Sequence, residues 1–211
     1  MRLRKKHFAI PELEENKKVF LHPEENKGSW GEVFKNNNPI HLELGAGRGG
    51  FALRMAEKNP KINFLALDLE ANVFVYAGRL IKEADLDNLF GILARAENLC
   101  DYFLKGEVSK IYINFCNPWP KPRQHKRRLT HPRLLEVYKN ILKEGSEIEV
   151  KTDDEDLYLA SLEYFKDSGF EVLEATDDLE EKIDSIQTDY EKKWRSQNIK
   201  IKYIKAKFIG W

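Results

Sequence analysis

Long hydrophobic runs and cysteine are both scarce in this 211-residue chain. No apolar run approaches the roughly 20 residues that a membrane span needs, so we expect no transmembrane helix. The basic start MRLRKKHFAIPELEEN has no apolar stretch behind it, so we expect no secretory signal either. The two cysteines, Cys100 and Cys116, offer neither a disulfide framework nor a metal site. These features predict a cytoplasmic protein without a metal or a membrane partner.

An excess of charge of one sign is also missing, because 35 basic residues balance 35 acidic ones. The charges are nevertheless unevenly distributed. Six Lys or Arg and two His lie between Lys121 and Arg133 with no acidic residue among them, whereas residues 153–189 are strongly acidic. The N-terminus is basic as well, with Arg2, Arg4, Lys5 and Lys6. Such separation can steer a polyanion to one face of a molecule that is neutral overall.

Short apolar runs alternate along the chain with helix-length amphipathic stretches. We predict strands at 40–44, 62–67, 89–93, 111–115, 146–150 and 170–174, and helices at 51–58, 71–84, 134–142 and 157–168. This alternation indicates an α/β fold whose mainly parallel sheet carries helices on both faces. Apolar residues alternate with lysines in the tail, 199–208, which predicts a final antiparallel edge strand and seven strands in all. Residues 1–27 are expected to be a basic N-terminal extension outside the core, and residues 28–211 a single domain.

A glycine turn follows the first predicted strand in the segment HLELGAGRGG. Gly45, Gly47 and Gly50 satisfy the dinucleotide-binding pattern, so the glycines alone leave open a dinucleotide-dependent oxidoreductase or a purely structural turn. Glu43, at the end of the strand, would repel a pyrophosphate but attract the cationic methionine part of S-adenosylmethionine. Asp68 ends the second predicted strand, where an acidic residue can accept hydrogen bonds from ribose hydroxyls. Together these residues favour S-adenosylmethionine as the ligand.

A family resemblance rests on four motifs: LELGAGRGG, INFCNPWPKPRQHKRRLTHPRLL, VKTDD and TDYEKKW. In their order and spacing they closely resemble the bacterial tRNA (guanine-N7)-methyltransferases, from the basic N-terminus to Trp194. The resemblance implies a Rossmann-like methyltransferase fold, S-adenosylmethionine as the methyl donor, and a guanosine of the tRNA variable loop as the target. It leaves open whether the protein is a monomer or a homodimer.

The resemblance also implies roles for individual residues. For the cofactor they are Glu43, Gly45, Gly47, Asp68, Arg95, Ala96 and Asn117. For the substrate nucleotide they are Lys121, Asp153, Thr188, Asp189, Tyr190 and Glu191. For binding along the tRNA they are Arg123, Gln124, His125, Lys126, Arg127 and Arg128. Asn117, Pro118 and Trp119 would line the pocket for the target base, with Asn117 as the catalytic residue.

Three positions depart from the usual family pattern. Asp68 stands where Glu is more common, Arg95 where an acidic residue often helps to hold the cofactor, and Asn117 where Asp is usual. Guanine N7 already has an in-plane lone pair and loses no proton when it attacks a methyl group, so the reaction needs orientation rather than a general base. An amide at position 117 can orient guanine through its O6 atom. Trp119 could stack on the base.

Simpler structural roles remain open for several of these residues. NPWPKP could be a rigid surface loop, KPRQHKRR a solvated basic loop, and Asp153 a helix N-cap. Thr188 and Glu191 have the spacing of a capping box, which does not preclude substrate contact. Two rival functions also remain: a base-amino methyltransferase, suggested by NPWP, and a non-catalytic RNA-binding protein with this fold, suggested by Arg95 and Asn117.

Overall fold

The structure, a computed structural model, describes residues 6–180 and 186–210. Within them an eight-stranded sheet forms the centre of the molecule. Its strands are β1 (Val19–Phe20), β2 (Ile40–Leu44), β3 (Asn63–Asp68), β4 (Leu89–Leu93), β5 (Val108–Asn114), β6 (Leu142–Thr152), β7 (Phe170–Thr176) and β8 (Lys202–Phe208). The predicted α/β class with a mainly parallel sheet is confirmed. The count of seven strands was one too low, because the two residues of β1 are too few to show a strand period in the sequence.

The strand order across the sheet is β1-β4-β3-β2-β5-β6-β8-β7. Strands β1 to β6 pair in parallel, whereas β8 pairs antiparallel with both β6 and β7. From β2 the chain builds outward through β3 to β4, then returns to place β5 on the other side of β2. The strand order therefore reverses between β2 and β5, and α/β sheets bind their ligands at the carboxyl ends of strands at such a point.

Helices cover both faces of this sheet. In β3, Leu65 and Leu67 join one apolar core, while the alternate residues Phe64 and Ala66 join a second core on the opposite face. The first core receives residues of α2 (Trp30–Phe34), α5 (Leu99–Tyr102), α6 (Pro132–Ile141) and α7 (Glu155–Asp167). The second receives residues of α1 (Ala9–Glu14), α3 (Gly50–Lys58) and α4 (Ala71–Ala84). An additional helix, α8 (Asp189–Ser196), precedes β8.

The segment before residue 28 is part of this core, contrary to the expectation that it would lie outside it. Ala9 and Leu13 of α1 are buried in the second core, and β1 pairs with β4. The packing is close, because a Cβ added to Gly78 on α4 would lie 2.7 Å from the Leu13 side chain. Arg2, Arg4 and Lys5 lie outside the described residues. The division of the chain at residues 27 and 28 stays a prediction.

The C-terminal strand is antiparallel as predicted, but it does not lie at the edge of the sheet. β8 is inserted between β6 and β7, and β7 forms the edge. The alternation of lysines with apolar residues reported a polar face, and a polar face is not confined to edge strands. Lys205, for example, forms an ion pair with Glu147 on neighbouring β6 at 3.0 Å.

Candidate active site

A cavity of about 340 Å³ opens at the carboxyl ends of β2 and β5, where the strand order reverses. The glycine turn after β2 forms one wall, the end of β5 forms another, and the first turn of α8 closes the top. The residues lining it are Glu43, Gly45, Ala46, Gly47, Arg48, Gly50, Phe51, Val73, Asn114, Phe115, Thr188, Asp189, Tyr190 and Lys193.

Glu43 is a buried carboxyl group at the floor of this cavity. Only 5% of its surface is exposed, and its Oε1 accepts a hydrogen bond of 3.1 Å from Asn114 Nδ2 on β5. Within the described residues its Oε2 has no hydrogen-bond partner. Burial raises the pKa of Glu43 to about 8. A buried carboxylate with an unused oxygen is suited to a cationic ligand that supplies both charge and a donor.

The glycine turn is held in place by Asp68 at the end of β3. Gly45 and Gly47 have φ values of +73° and +58°, which glycine adopts without strain. Gly47 N donates to Asp68 Oδ2 and Glu70 N donates to Asp68 Oδ1, each at 2.8 Å. Burial raises the pKa of Asp68 against the lowering effect of these two hydrogen bonds. Asp68 thus fixes the wall of the cavity, and each of its oxygens retains a lone pair for a ribose hydroxyl.

Two aromatic rings border the cavity where β5 ends. Phe115 has a φ of +50°, and its ring stacks on that of Tyr190 with 6.2 Å between centroids and 23° between planes. Tyr190 is 57% exposed. A positive φ at a bulky residue is strained and persists only when its surroundings hold it. The sequence analysis assigned no role to Asn114 or Phe115, although both directly follow a predicted strand and precede NPWP.

The first turn of α8 combines a helix cap with a buried ion pair. The Thr188 side chain accepts from Glu191 N at 2.9 Å and caps the helix. Glu191 is fully buried and accepts from Lys151 Nζ at 2.7 Å and from Arg195 Nη2 at 2.9 Å. Substrate contact by Glu191 was therefore the wrong expectation, because its carboxylate is occupied by two cations inside the protein. Asp189 lines the cavity and pairs with Arg54 of α3 at 3.2 Å.

Other predicted cofactor residues lie away from the cavity wall. Among the described residues, the lining includes neither Asn117 nor Arg95 nor Ala96. Asn117 is exposed, and its Oδ1 accepts from Trp119 N at 3.0 Å. Arg95 is exposed and lies 4.0 Å from Glu97, whereas Ala96 is buried. The structure brings together Glu43, the glycine turn and α8, but not these three.

The basic segment forms a 3₁₀ turn, Pro122–Arg127, beyond the NPWP loop. Most of its cations are exposed, and Arg127 lies over the Trp119 ring at 5.0 Å. Arg128, which was expected to bind RNA, is fully buried and faces protein atoms, so that assignment was wrong. The half-buried Asp153 is not the N-cap of α7. Asp154 caps it by accepting from Leu157 N at 2.7 Å. The exposed cations are Lys121, Arg123, Lys126 and Arg127, with Gln124 and His125 half-buried among them.

Comparison with known proteins identifies the family. A family model described as "Putative methyltransferase" matches residues 37–204. The tRNA (guanine-N(7)-)-methyltransferase of Clostridium tetani is 49% identical over 98% of this chain and 99% of its own. The protein of the same name from Desulfitobacterium hafniense is 48% identical over 96% of both. The chain belongs to the tRNA (guanine-N7)-methyltransferase family. The resemblance deduced from the four motifs is thereby confirmed.

Solved structures confirm the Rossmann-like methyltransferase fold. The 16S rRNA methyltransferase KamB superposes with a TM-score of 0.66 and 17% identity, over 86% of this chain and 93% of its own. The 16S rRNA (adenine(1408)-N(1))-methyltransferase of Catenulisporales acidiphilia, solved with cosubstrate SAM, gives 0.62 and 14%, over 90% and 92%. Identities this low speak for the fold alone.

S-adenosylmethionine, the methyl donor of this methyltransferase family, fits the residues present. The unpartnered Glu43 Oε2 suits its cationic methionine part, and Asp68 suits its ribose. Among the described residues, no group of three or more His, Cys, Asp or Glu could hold a metal ion. In the same part of the chain, no helix has the length and apolar character needed to cross a membrane.

Proposed function

We propose that the protein transfers the methyl group of S-adenosylmethionine to N7 of a guanine in the tRNA variable loop. The observation that carries the proposal is the buried Glu43 at the strand-order reversal, with one carboxylate oxygen unused beside the stacked rings of Phe115 and Tyr190. In a chain of this family, a cationic cofactor and a flat base would meet at this place. Since tRNA is the substrate, we place the reaction in the cytoplasm.

On the cofactor side, bound S-adenosylmethionine supplies an electrophilic methyl group on a positively charged sulfur. Glu43 holds the cationic methionine part, and Asn114 fixes the Glu43 carboxylate through its hydrogen bond. Asp68 receives the ribose while keeping Gly47 in place. Because the cavity lies at the carboxyl ends of the strands, these groups are held on rigid elements. Such prior positioning can lower a barrier by about 7–11 kcal/mol.

On the guanine side, the protein has to orient the base rather than remove a proton. Asn117 Oδ1 is engaged by Trp119 N, which directs the Asn117 amide so that its Nδ2 can donate to guanine O6. Tyr190 is the exposed member of the aromatic pair and offers a face on which the base can stack. A base–aromatic stack contributes about 1–3 kcal/mol. The attack by the N7 lone pair then needs only alignment with the methyl group.

The exposed cations Lys121, Arg123, Lys126 and Arg127 supply the tRNA-binding surface beside the NPWP loop. Phosphate contacts of this kind position a nucleic acid without reading its sequence. The choice of base would then rest with the pocket, and the choice of tRNA region with the distance between these cations and the cavity.

Mass spectrometry of nucleosides tests this proposal, after incubation of an unmodified tRNA transcript with methyl-labelled S-adenosylmethionine. We expect labelled 7-methylguanosine. Labelled N2-methylguanosine would instead support a base-amino methyltransferase, and binding of both ligands without label would support a non-catalytic RNA-binding protein. Glu43→Ala should abolish labelling by preventing cofactor binding. The matched control is Glu57→Ala, at an exposed position on α3.

A further inference from the structure

Arg128 ends the basic segment, yet it is fully buried while its neighbours Lys126 and Arg127 are exposed. Its Nε donates to the carbonyl oxygen of Pro118 at 2.7 Å. Its Nη2 forms an ion pair with the carboxylate of Asp156 on α7 and lies 3.1 Å from His125 Nε2. A guanidinium with these contacts faces the protein and cannot bind a phosphate in this arrangement.

The contact with Pro118 holds one peptide unit from both ends. Arg128 binds the carbonyl oxygen of the Pro118–Trp119 peptide, and Asn117 Oδ1 accepts from the N–H of the same peptide. Trp119 has a φ of +47°, a conformation that costs a bulky residue about 1–3 kcal/mol and persists only when its surroundings impose it. Arg128 and Asn117 together impose it.

We propose that Arg128 is a positioning residue that holds the Asn117–Trp119 loop in the shape that receives the guanine, and that it is not a phosphate ligand. This inference rests on the proposed function. Asp156 supplies the opposite charge that a buried guanidinium requires, and the guanidinium in turn holds the pKa of Asp156 below its usual range. His125 joins Arg128 to the 3₁₀ turn that carries the exposed cations. Arg128 therefore links the tRNA-binding turn to the loop that presents the base.

The salt dependence of tRNA binding separates positioning from phosphate contact. The proteins compared are wild type, Arg128→Lys, Arg128→Gln and, as the matched control, Arg127→Gln. We expect the slope of log affinity against log salt to be unchanged in both Arg128 variants and to shrink by about 0.7–0.9 in Arg127→Gln, the loss of one phosphate contact. A slope reduced by that amount in Arg128→Gln would overturn the proposal.

Acrylamide quenching of Trp119 fluorescence reports the loop itself, measured as the difference between each protein and its Trp119→Phe counterpart. We expect Trp119 to be more accessible to the quencher in Arg128→Lys and Arg128→Gln than in wild type. The single-turnover methylation rate at saturating tRNA and cofactor should fall on the order of 100-fold, as a misplacement of about 1 Å produces. Cofactor affinity should stay unchanged, because Arg128 does not line the cavity among the described residues. Unchanged quenching and rate would overturn the proposal.

Asp156→Asn keeps the test decisive if the Arg128 variants do not fold. The Asp156 side chain is 67% exposed, so losing its charge should leave the fold intact while loosening the guanidinium. Quenching of Trp119 should increase and the rate should fall, both by less than in Arg128→Gln, whereas the exposed neighbour Glu155→Gln should match wild type. No change in Asp156→Asn would contradict the proposal. If the wild type yields no 7-methylguanosine, the proposed function fails, but the salt slope and the quenching still decide the role of Arg128.

Discussion

Glu43 shows how one residue can be unfavourable for the fold and favourable for the site. Burial raises its pKa to about 8, from an ordinary value of 4.5. Because the folded protein holds this proton more tightly than the unfolded chain, Glu43 reduces stability increasingly as the pH rises from 4.5 to about 8. A cationic cofactor offsets that cost by pairing with the ionised form. The residue therefore couples cofactor binding to proton release.

Cofactor affinity should accordingly depend on pH through Glu43. Between about pH 6 and 7.5, binding of the cation should expel the Glu43 proton, so affinity should rise with pH by up to about tenfold per unit. Calorimetry in buffers of different ionisation enthalpy measures the protons released. Glu43→Gln should bind more weakly and release none. Equal proton release by wild type and Glu43→Gln would contradict this assignment.

Asn117 is the second residue whose chemistry can be tested directly. If it orients guanine, Asn117→Asp should retain substantial activity because it keeps the acceptor for Trp119 N. Asn117→Ala should lose both contacts, each worth about 0.5–1.5 kcal/mol. Neither variant should add a titrating base to the pH–rate profile, since N7 has no proton to lose. Single-turnover rates across pH measure this, and an alanine variant as fast as wild type would remove Asn117 from the mechanism.

At the scale of elements, the glycine turn separates ligand space from fold space. Gly47 and Gly49 both have positive φ, +58° and +77°, so alanine costs each about 1–2 kcal/mol of strain. No described atom lies within 4 Å of a Cβ added to Gly47, which lines the cavity, whereas a Cβ on Gly49 would meet the Ala77 Cβ of α4 at 3.0 Å.

Alanine at these two positions should therefore act differently. Gly47→Ala should weaken cofactor binding at least tenfold with a small loss of stability, because its methyl group enters the ligand space. Gly49→Ala should lower the melting temperature more and affect cofactor affinity less. Calorimetry and thermal unfolding measure the two effects, and the reverse ranking would show that Gly47 does not face the cofactor.

Helix α8 depends on the buried Glu191. Glu191→Gln leaves Lys151 inside the protein without its full counter-charge, and breaking a buried pair typically costs about 3–5 kcal/mol. Because α8 contributes Thr188, Asp189 and Tyr190 to the cavity, cofactor affinity should fall as well. The exposed neighbour Lys192→Gln is the control. Urea unfolding measures the loss, and a difference below about 1 kcal/mol, the usual value for a surface pair, would contradict a structural role.

The sequence predicted these elements well where a period was long enough to read. The bounds of β2, β4 and α4 match those expected, because each has a clear apolar pattern and turn residues at its ends. The short α1, β1 and α2 were missed, since two to six residues carry no period. The position of β8 between β6 and β7 was also out of reach, because alternation indicates which face is polar and not which strands are neighbours.

The site followed the same rule. Glu43, the glycine turn and the start of α8 were found from strand ends and motifs. The roles expected for Arg128 and Glu191 were wrong, because a charged residue in a polar stretch looks exposed until its buried partner is known. Those partners, Asp156 and Lys151, are distant in the sequence.

At the scale of the whole molecule, neutrality and RNA binding are compatible because the charges are separated. The exposed cations of the basic segment follow the NPWP loop, while much acidic charge lies in residues 153–189. The reactive base and the nearby phosphates would therefore be engaged side by side. This arrangement predicts that the acceptor atom, rather than overall charge, decides whether methyl transfer occurs.

A pair of tRNA transcripts that differ in one atom tests that central claim most directly. One carries guanosine at the variable-loop target and the other 7-deazaguanosine, which replaces N7 by a carbon and leaves the exocyclic amine in place. Methyl transfer from labelled S-adenosylmethionine is measured for both. We predict labelling of the guanosine transcript and none of the 7-deazaguanosine transcript. Equal labelling of the two would contradict N7 as the acceptor.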